Sequence, residues 1–255
     1  LGDVYKRQNV YLEATIIDGL KLRTEFSGDY NFNNYYYYMP DYKFGVRTQD
    51  IRTSKWTKTN TQYYSWRNLL TYKKTFAEKH NLDVMLGQEI SKSKYETQVG
   101  TASGFLSNTT PDLSAGDITT STTTGFKNIN SIASFFGRVF YNFDERYLLT
   151  ATLRRDGSSK FADGKKWGWF PAVAAAWRIS SEKFWQNVDP VNNFKLRLGW
   201  GKTGNQNGVG DYAYLQRYNI NRQPWFEEGK GTSVPTLSQA NLRTRDLTWE
   251  TTTQT

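Results

Sequence analysis

Apolar and polar residues alternate through most of this chain, in runs separated by turn-forming residues, and residues 147–179 show the alternation most clearly: YLLTATLRRDGSSKFADGKKWGWFPAVAAAWRI. Tyr147, Leu149, Ala151 and Leu153 share one face of an extended chain, and Thr150, Thr152 and Arg154 share the other. Beyond a polar, glycine-containing tip, Trp169, Val173, Ala175, Trp177 and Ile179 share a face, with Arg178 opposite. Both stretches exceed the ~5–6 residues usual for a strand and approach the ~9–11 that a tilted strand needs to cross a bilayer. The pattern predicts a hairpin of membrane-crossing strands. Tyr147, Leu149, Leu153, Trp169, Val173, Trp177 and Ile179 are expected to face lipid, as are Leu196, Leu198 and Trp200 of the next alternating run.

The same period governs the rest of the chain. Val10, Leu12, Ala14 and Ile16 alternate up to the Asp18-Gly19 turn signal, and Leu20, Leu22, Thr24 and Phe26 alternate after it. A tyrosine-rich connection, residues 31–53, includes Tyr35, Tyr36, Tyr37 and Tyr38. Strands are predicted over 55–76 and 82–99, joined by a short turn near 78–80. A Thr/Ser/Gly-rich stretch, 100–130, has no period. Alternation resumes over 132–143 and turns at Asp144-Glu145-Arg146. Residues 180–193 are expected to hold one helical turn, capped by Ser180 or Ser181, with Phe184 and Trp185 packing back. A strand through Phe194, Leu196, Leu198 and Trp200 follows, then a long irregular stretch over 205–246 and a last strand over 247–255.

The connections run short, long, short, long, short, medium, medium, long. Apart from that at 180–193, short turns fall at one end of the sheet and long loops at the other. Outer-membrane barrels sort their connections this way, with short turns on the periplasmic side and long loops outside; a β-sandwich has no reason to. The fold class expected is all-β, an antiparallel up-and-down meander, forming part of a large outer-membrane β-barrel.

Composition agrees once the one-sided face is allowed for. Hydrophobic content of 37% and a mean hydropathy of −0.72 fit strands that are apolar on one face only, and aromatics at 16% suit a bilayer interface. The absence of cysteine removes disulfides and thiolate metal sites. The formal charge of +9 is spread along the strands rather than gathered into a stripe, which argues against nucleic acid. Residues 1–8 (LGDVYKRQ) read as a non-native leader or sequencing scar and are left outside the expected fold, whose barrel domain is taken as 9–255.

Several motifs are decoys. Gly199-Trp200-Gly201-Lys202-Thr203-Gly204 matches a dinucleotide-loop pattern, yet turn formers follow it where a helix is required. His80, the only histidine, sits in an expected turn, so neither a triad nor a multi-histidine metal site can be built. Asp83, Glu89 and Glu96 offer carboxylates, but nothing singles out an acid–nucleophile pair. Asn108-Thr109-Thr110 is a glycosylation-type sequon, without meaning in a bacterial envelope. No catalytic residue, metal site or cofactor is expected. Arg154, Arg155, Asp156, Gly157, Ser158, Ser159 and Phe161 are more specific: two guanidinium groups beside a carboxylate are expected to brace a loop base at the rim.

That rim segment, DGSSKF followed by WGWFPAVAAAWRIS and Glu182-Lys183-Phe184, resembles the SusC/RagA-type TonB-linked outer-membrane transporters. So do 195–206 (KLRLGWGKTGNQ) and 247–255 (LTWETTTQT), in the same order. The resemblance is dense across 132–255 and weaker across 10–99. Lys160 stands where that family often has Arg, and Ala172 and Ala174 where Ser is common. The resemblance implies a barrel of about 22 strands with a plug, of which this chain would be a mid-barrel fragment in the outer membrane. It also implies uptake of glycan or peptide oligomers, a SusD-like surface lipoprotein as partner, and energy from the TonB complex. Tyr35 to Tyr38, Tyr212, Tyr214 and Trp225 would be the loop aromatics placed to meet such a ligand. Two other readings remain: a soluble carbohydrate-binding β-sandwich, with strands of ordinary length around a buried core, and a β-rich hydrolase.

Overall fold

The computed structural model describes residues 2–185, 191–224 and 233–255. The strands, in chain order, are β1 (Gly2–Ile17), β2 (Leu20–Met39), β3 (Tyr42–Phe44), β4 (Arg47–Gln49), β5 (Thr53–Phe76), β6 (His80–Ser103) and β7 (Thr122–Phe143). They continue with β8 (Tyr147–Ser158), β9 (Trp167–Arg178), β10 (Lys195–Asn205), β11 (Tyr218–Pro224), β12 (Ser233–Gln239) and β13 (Glu250–Gln254). Nine of them make one sheet in the order β1-β2-β5-β6-β7-β8-β9-β10-β13. The two remaining pairs, β3-β4 and β11-β12, are hairpins carried within connections, so the main sheet follows chain order without a crossover. This is the all-β up-and-down meander that the alternation predicts.

The short turns are made by local chemistry. Gly19 has φ +79°, and a Cβ there would lie 2.2 Å from the Lys73 carbonyl oxygen. Ala77-Glu78 and Asp144-Glu145 hold positive φ at both central positions, the backbone that lets a two-residue turn match strand twist. The longer connections are 40–52, 104–121, 159–166, 179–194 and 206–249, the first and last containing the small hairpins.

Several boundaries differ from expectation. Strand β2 runs through Met39, so Tyr35 to Tyr38 stand on a strand, not in an irregular loop. The stretch 100–130 is shortened from both sides, since β6 reaches Ser103 and β7 starts at Thr122. Polar residues on both faces hid these extensions, because a strand clear of apolar surroundings has no period to display. Strand β1 begins at Gly2, and the segment left outside the fold is paired: Tyr5 and Arg7 reach Asp29, at 3.4 and 3.3 Å, and Asn33 donates to Asp3. Ile179 leaves the sheet. It opens a 3-10 turn, Ile179–Ser181, closed by the Glu182 N–H donating to the Ile179 carbonyl, so it is not a membrane-face residue of β9. A second 3-10 turn, Lys183–Trp185, stacks Trp185 on Phe194 at 5.2 Å, which is the packing-back expected of this segment.

The chain divides into two compact units, residues 1–12, 24–67 and 90–130 in one and 13–23, 68–89 and 131–255 in the other. Neither has a conventional core. Among the described residues the buried apolar side chains are Ala102 and Phe105 in the first unit and Phe161 and Phe170 in the second. A sandwich of this length would bury dozens of apolar groups between two sheets, so the sandwich reading fails. The apolar side chains point outward instead.

Candidate functional site

Registers across β7 to β10 show where the apolar residues go. One rung joins Phe143, Tyr147, Trp177 and Leu196. The next on the same face joins Tyr141, Leu149, Ala175 and Leu198, and the third Val139, Ala151, Val173 and Trp200. Leu153 and Pro171 follow, then Phe135, Arg155 and Trp169. Each of Leu149, Leu153, Val173 and Leu198 is at least 46% exposed. The intervening face carries Phe140, Thr150, Ala174 and Gly199 on one rung, and Arg138, Thr152, Ala172 and Gly201 on the next. The structure thus brings Tyr147, Leu149, Leu153, Trp169, Val173, Trp177, Leu196, Leu198 and Trp200 onto a single continuous apolar face.

Aromatic rings close that face at both ends. Tyr147 stacks near Trp177 at 6.4 Å at one end, and Phe135 lies 6.1 Å from Trp167 at the other. Tyr147 to Gly157, which pairs with Trp167, is ten residues. At ~3.3 Å per residue this is ~33 Å along the strand, or ~25 Å normal to a membrane at a ~40° tilt, the height of the apolar band in outer-membrane barrels. Among the described residues no helix is long and apolar enough to cross a membrane, a statement that bears on helices alone.

At the turn end, both ring donors converge on one carboxylate, Glu182, which the sequence marked only by its place in the family-like segment. Tyr147 Oη donates to Glu182 Oε1 at 2.7 Å, Trp177 Nε1 to the same oxygen at 3.1 Å, and Arg146 Nη1 to Oε2 at 3.2 Å. These donors, Tyr147 first, hold the Glu182 carboxyl below its ordinary range. Arg146 also donates to Asp144, and this bond holds Asp144 low as well.

At the tip end, the rim motif splits between two faces. Arg154 Nε donates to Asp156 Oδ2 at 2.8 Å and Arg154 Nη2 to Ser134 Oγ at 2.9 Å. Ser159 pairs twice with Ser131, and the Ser158 hydroxyl accepts from the Lys160 N–H. Gly157 has no room for a side chain, since a Cβ would lie 2.8 Å from the Trp167 ring. The two-arginine fork is corrected, because consecutive residues on a strand point to opposite faces. Arg155 leaves the brace and lies against the rings of Trp167 and Trp169 on the apolar face.

Behind the brace, Phe161 is wholly buried and packs on Trp249 at 5.4 Å, as does Phe170. Trp249 Nε1 donates to the Lys166 carbonyl at 2.8 Å, and Lys160 Nζ to the Val209 carbonyl at 2.9 Å. These contacts fasten the 159–166 tip to the 206–249 connection. Trp249 carried no signal beyond its place in the family-like segment LTWETTTQT.

The first unit contains a comparable fastening. Arg52 makes a fork to Asp41, both bonds at 2.8 Å, and donates to the Phe105 carbonyl at 2.7 Å. Asn108 Nδ2 adds a bond to Asp41 at 2.7 Å, and Ser54 Oγ donates to the Pro111 carbonyl at 2.7 Å. Arg52, then Asn108, holds the Asp41 carboxyl low. Tyr38 joins this group through its hydroxyl on Asn108 and its ring on Phe105, and Tyr36 packs edge-on against Trp56 at 5.1 Å. Tyr35 and Tyr37 point the other way, and they and Tyr36 are exposed. Asn108, the sequon residue, is therefore a structural partner.

Tyr214 lines a cavity of about 480 Å³ with Lys165, Arg243, Arg245 and Asp246, and Tyr212 carries Arg217 over its ring at 5.1 Å. Trp225 lies outside the described residues. The dinucleotide-like glycines run through β10, with Gly199 against Ala174, and no helix follows them among the described residues. His80 Nδ1 lies 2.6 Å from the Tyr141 hydroxyl while its ring stacks on Phe76. Asp83 pairs with Lys73 and Arg138, and Glu96 with Lys94 and Lys127. A carboxylate pair arranged as acid and nucleophile is not among these contacts.

Comparison with known proteins gives the same architecture. The chain is 30% identical over 250 residues to the TonB-dependent receptor SusC of Bacteroides thetaiotaomicron, covering 90% of this chain and 24% of SusC. It is 38% identical over 149 residues to the TonB-dependent receptor P26 of Formosa agariphila, covering 58% of this chain and 15% of that receptor. Among solved structures, the RagAB peptide importer in its closed-closed state superposes with a TM-score of 0.85 at 24% identity, over 98% of this chain and 27% of that one. The chain spans about a quarter of the length of SusC. The model of the family described as TonB dependent receptor-like, beta-barrel matches residues 2–255, and the chain belongs to that family.

Proposed function

We propose that this chain is part of the barrel of an outer-membrane transporter that imports bulky nutrients, glycan or peptide oligomers, using energy delivered by TonB. The observation that supports it most is the continuous apolar face of β7 to β10, bounded by aromatic rings about one bilayer apart. The family match and the similarity to SusC support the transport role, and the likeness to RagAB, a peptide importer, makes peptides a cargo class to test beside glycans. In this reading the turns at 18–19, 77–79 and 144–146 face the periplasm. The connections at 159–166 and 206–249 face outward and line a ligand mouth under a SusD-like lipoprotein lid, and within the other unit the connections at 40–52 and 104–121 also face outward. The rim brace of Arg154, Asp156, Ser158, Ser159 and Phe161 shapes that mouth. Tyr35, Tyr36, Tyr37 and Tyr214 are the aromatic candidates for ligand contact, whereas Tyr38 is held by Asn108 and Phe105. Tyr212, whose ring carries Arg217, and Trp225 are further candidates.

The test is envelope fractionation of the full-length receptor, followed by uptake of labelled oligosaccharides and peptides with and without TonB. Heat-modifiable migration in the outer-membrane fraction and TonB-dependent uptake are expected. A soluble folded monomer, or uptake indifferent to TonB, would overturn the proposal.

A further inference from the structure

The apolar face ends, beside the 159–166 tip, in positive charge with no hydrogen-bond or ion-pair partner among the described residues. Arg155 lies on that face one rung beyond Leu153. Its guanidinium carbon is 4.7 Å from the centroid of the Trp167 ring and 5.1 Å from that of Trp169. Among the described residues nothing accepts a hydrogen bond from this guanidinium, and its Nε is buried without a partner. Lys202 follows Trp200 on the same face, one residue beyond the pairing of Gly201 with Ala172, half-buried and likewise without an ion pair among those residues. Two strand spacings and two residues of offset separate the two cations by ~12 Å.

Physical chemistry narrows what this arrangement can hold. The aromatic rings lie against the guanidinium, and its Nη donors, with no hydrogen-bond partner among the described residues, are the groups that can donate to a phosphate. The apolar side chains of Leu153, Pro171 and Val173 continue directly below it toward the middle of the band. A soluble anion has no use for that apolar stripe, whereas a lipid fills both parts at once. We propose that Arg155 and Lys202, framed by Trp167 and Trp169, bind the phosphate groups of an outer-leaflet lipid whose acyl chains lie on Leu153, Pro171 and Val173. The proposal rests on the membrane placement argued above.

The experiment uses the full-length receptor in nanodiscs of phosphatidylcholine doped with either bisphosphorylated or dephosphorylated lipid A, with bound lipid read by native mass spectrometry. Wild type should retain the bisphosphorylated form preferentially. Arg155→Ala and Lys202→Ala should each weaken retention about fivefold, and the double variant should abolish the preference. Arg155→Lys, which keeps the charge and removes the fork, should fall between wild type and alanine and guards against loss of folding in the alanine variants. Inorganic phosphate should not displace the lipid. Wild-type preference in the double variant, equal retention of the dephosphorylated lipid, or displacement by inorganic phosphate would each overturn the proposal. A receptor absent from the outer membrane in cells would count against the transport reading, while the nanodisc comparison still reports on the lipid site.

Discussion

Val173 offers the sharpest test of which face meets lipid. It sits on the rung with Ala151 and Trp200, four residues from the Trp177 rung and four from that of Trp169. Each interval is ~13 Å along the strand, longer than an arginine side chain can span, so a guanidinium at 173 cannot reach either interface by extension. Arginine on the lipid face of an outer-membrane barrel costs about 2–4 kcal/mol at the midplane and about 0–1 kcal/mol near the interfaces. Val173→Arg should therefore reduce the folded-to-unfolded ratio by roughly 30- to 700-fold, taking tenfold per 1.4 kcal/mol. Ala174→Arg is the control. Its side chain points to the opposite face, between Thr150 and Gly199, where water and polar neighbours are expected.

The assay is urea titration of the full-length receptor in lipid vesicles, scoring the heat-modifiable band. Val173→Arg should lower the midpoint well beyond Ala174→Arg, and Leu153→Arg, one rung from the Trp169 level, should fall between them. Equal losses at 173 and 174, or a larger loss at 174, would refute the assignment of faces.

Acid should loosen the turn end of the sheet. The Glu182 carboxyl is held below its ordinary value, so its contribution is fully present above the normal carboxylate range and is lost as pH falls through the lowered value; Glu182→Gln should flatten this dependence, read as the urea midpoint between pH 3 and 6. Gly204→Ala should destabilise the tip, because a Cβ there would lie 2.2 Å from the Phe170 ring inside a buried cluster; thermal loss of the heat-modifiable band measures it. Trp249→Ala should cost about 2–4 kcal/mol, below the full cost of emptying a wholly buried aromatic site because Trp249 is only half-buried, and should release the 159–166 tip to protease. Arg52→Ala should expose the 40–52 and 104–121 connections to limited proteolysis several-fold faster, with no change in the strands.

The parts of this fold that were legible are those in which one face is apolar. Alternation located β8 to β10 and the second half of β7 and grouped their apolar residues on one face, as the strand registers do, because a strand apolar on one side only writes that fact into every second position. Where both faces are wet, the constraint disappears: Tyr35 to Tyr38 and residues 122–130 carry no alternating apolar signal, yet the ladder continues through them. The loop bases were illegible for a different reason. Arg52, Asp41 and Asn108 are each ordinary surface residues in sequence, and only the return of the chain, across 11 positions for Arg52 and Asp41 and across 56 and 67 for Asn108, makes them partners. Trp249 is likewise meaningless until Phe161 and Phe170 converge on it.

Arg155 joins the two cases. Read as half of Arg154-Arg155, it looks redundant with its neighbour, and the dipeptide suggests a single fork on Asp156. The period of two separates them absolutely: Arg154 belongs to the polar network of Ser134 and Asp156, and Arg155 to the rings at the edge of the apolar band. The alternation that reveals the strand therefore also decides the chemistry available to each residue on it. A one-residue slip in β8 would carry Arg154 and Asp156 together onto the apolar face and bring Arg155 to the polar face beside Ser134. The brace and the aromatic edge fix the same register from opposite faces, so a variant that weakens one should leave the other holding β8 in place.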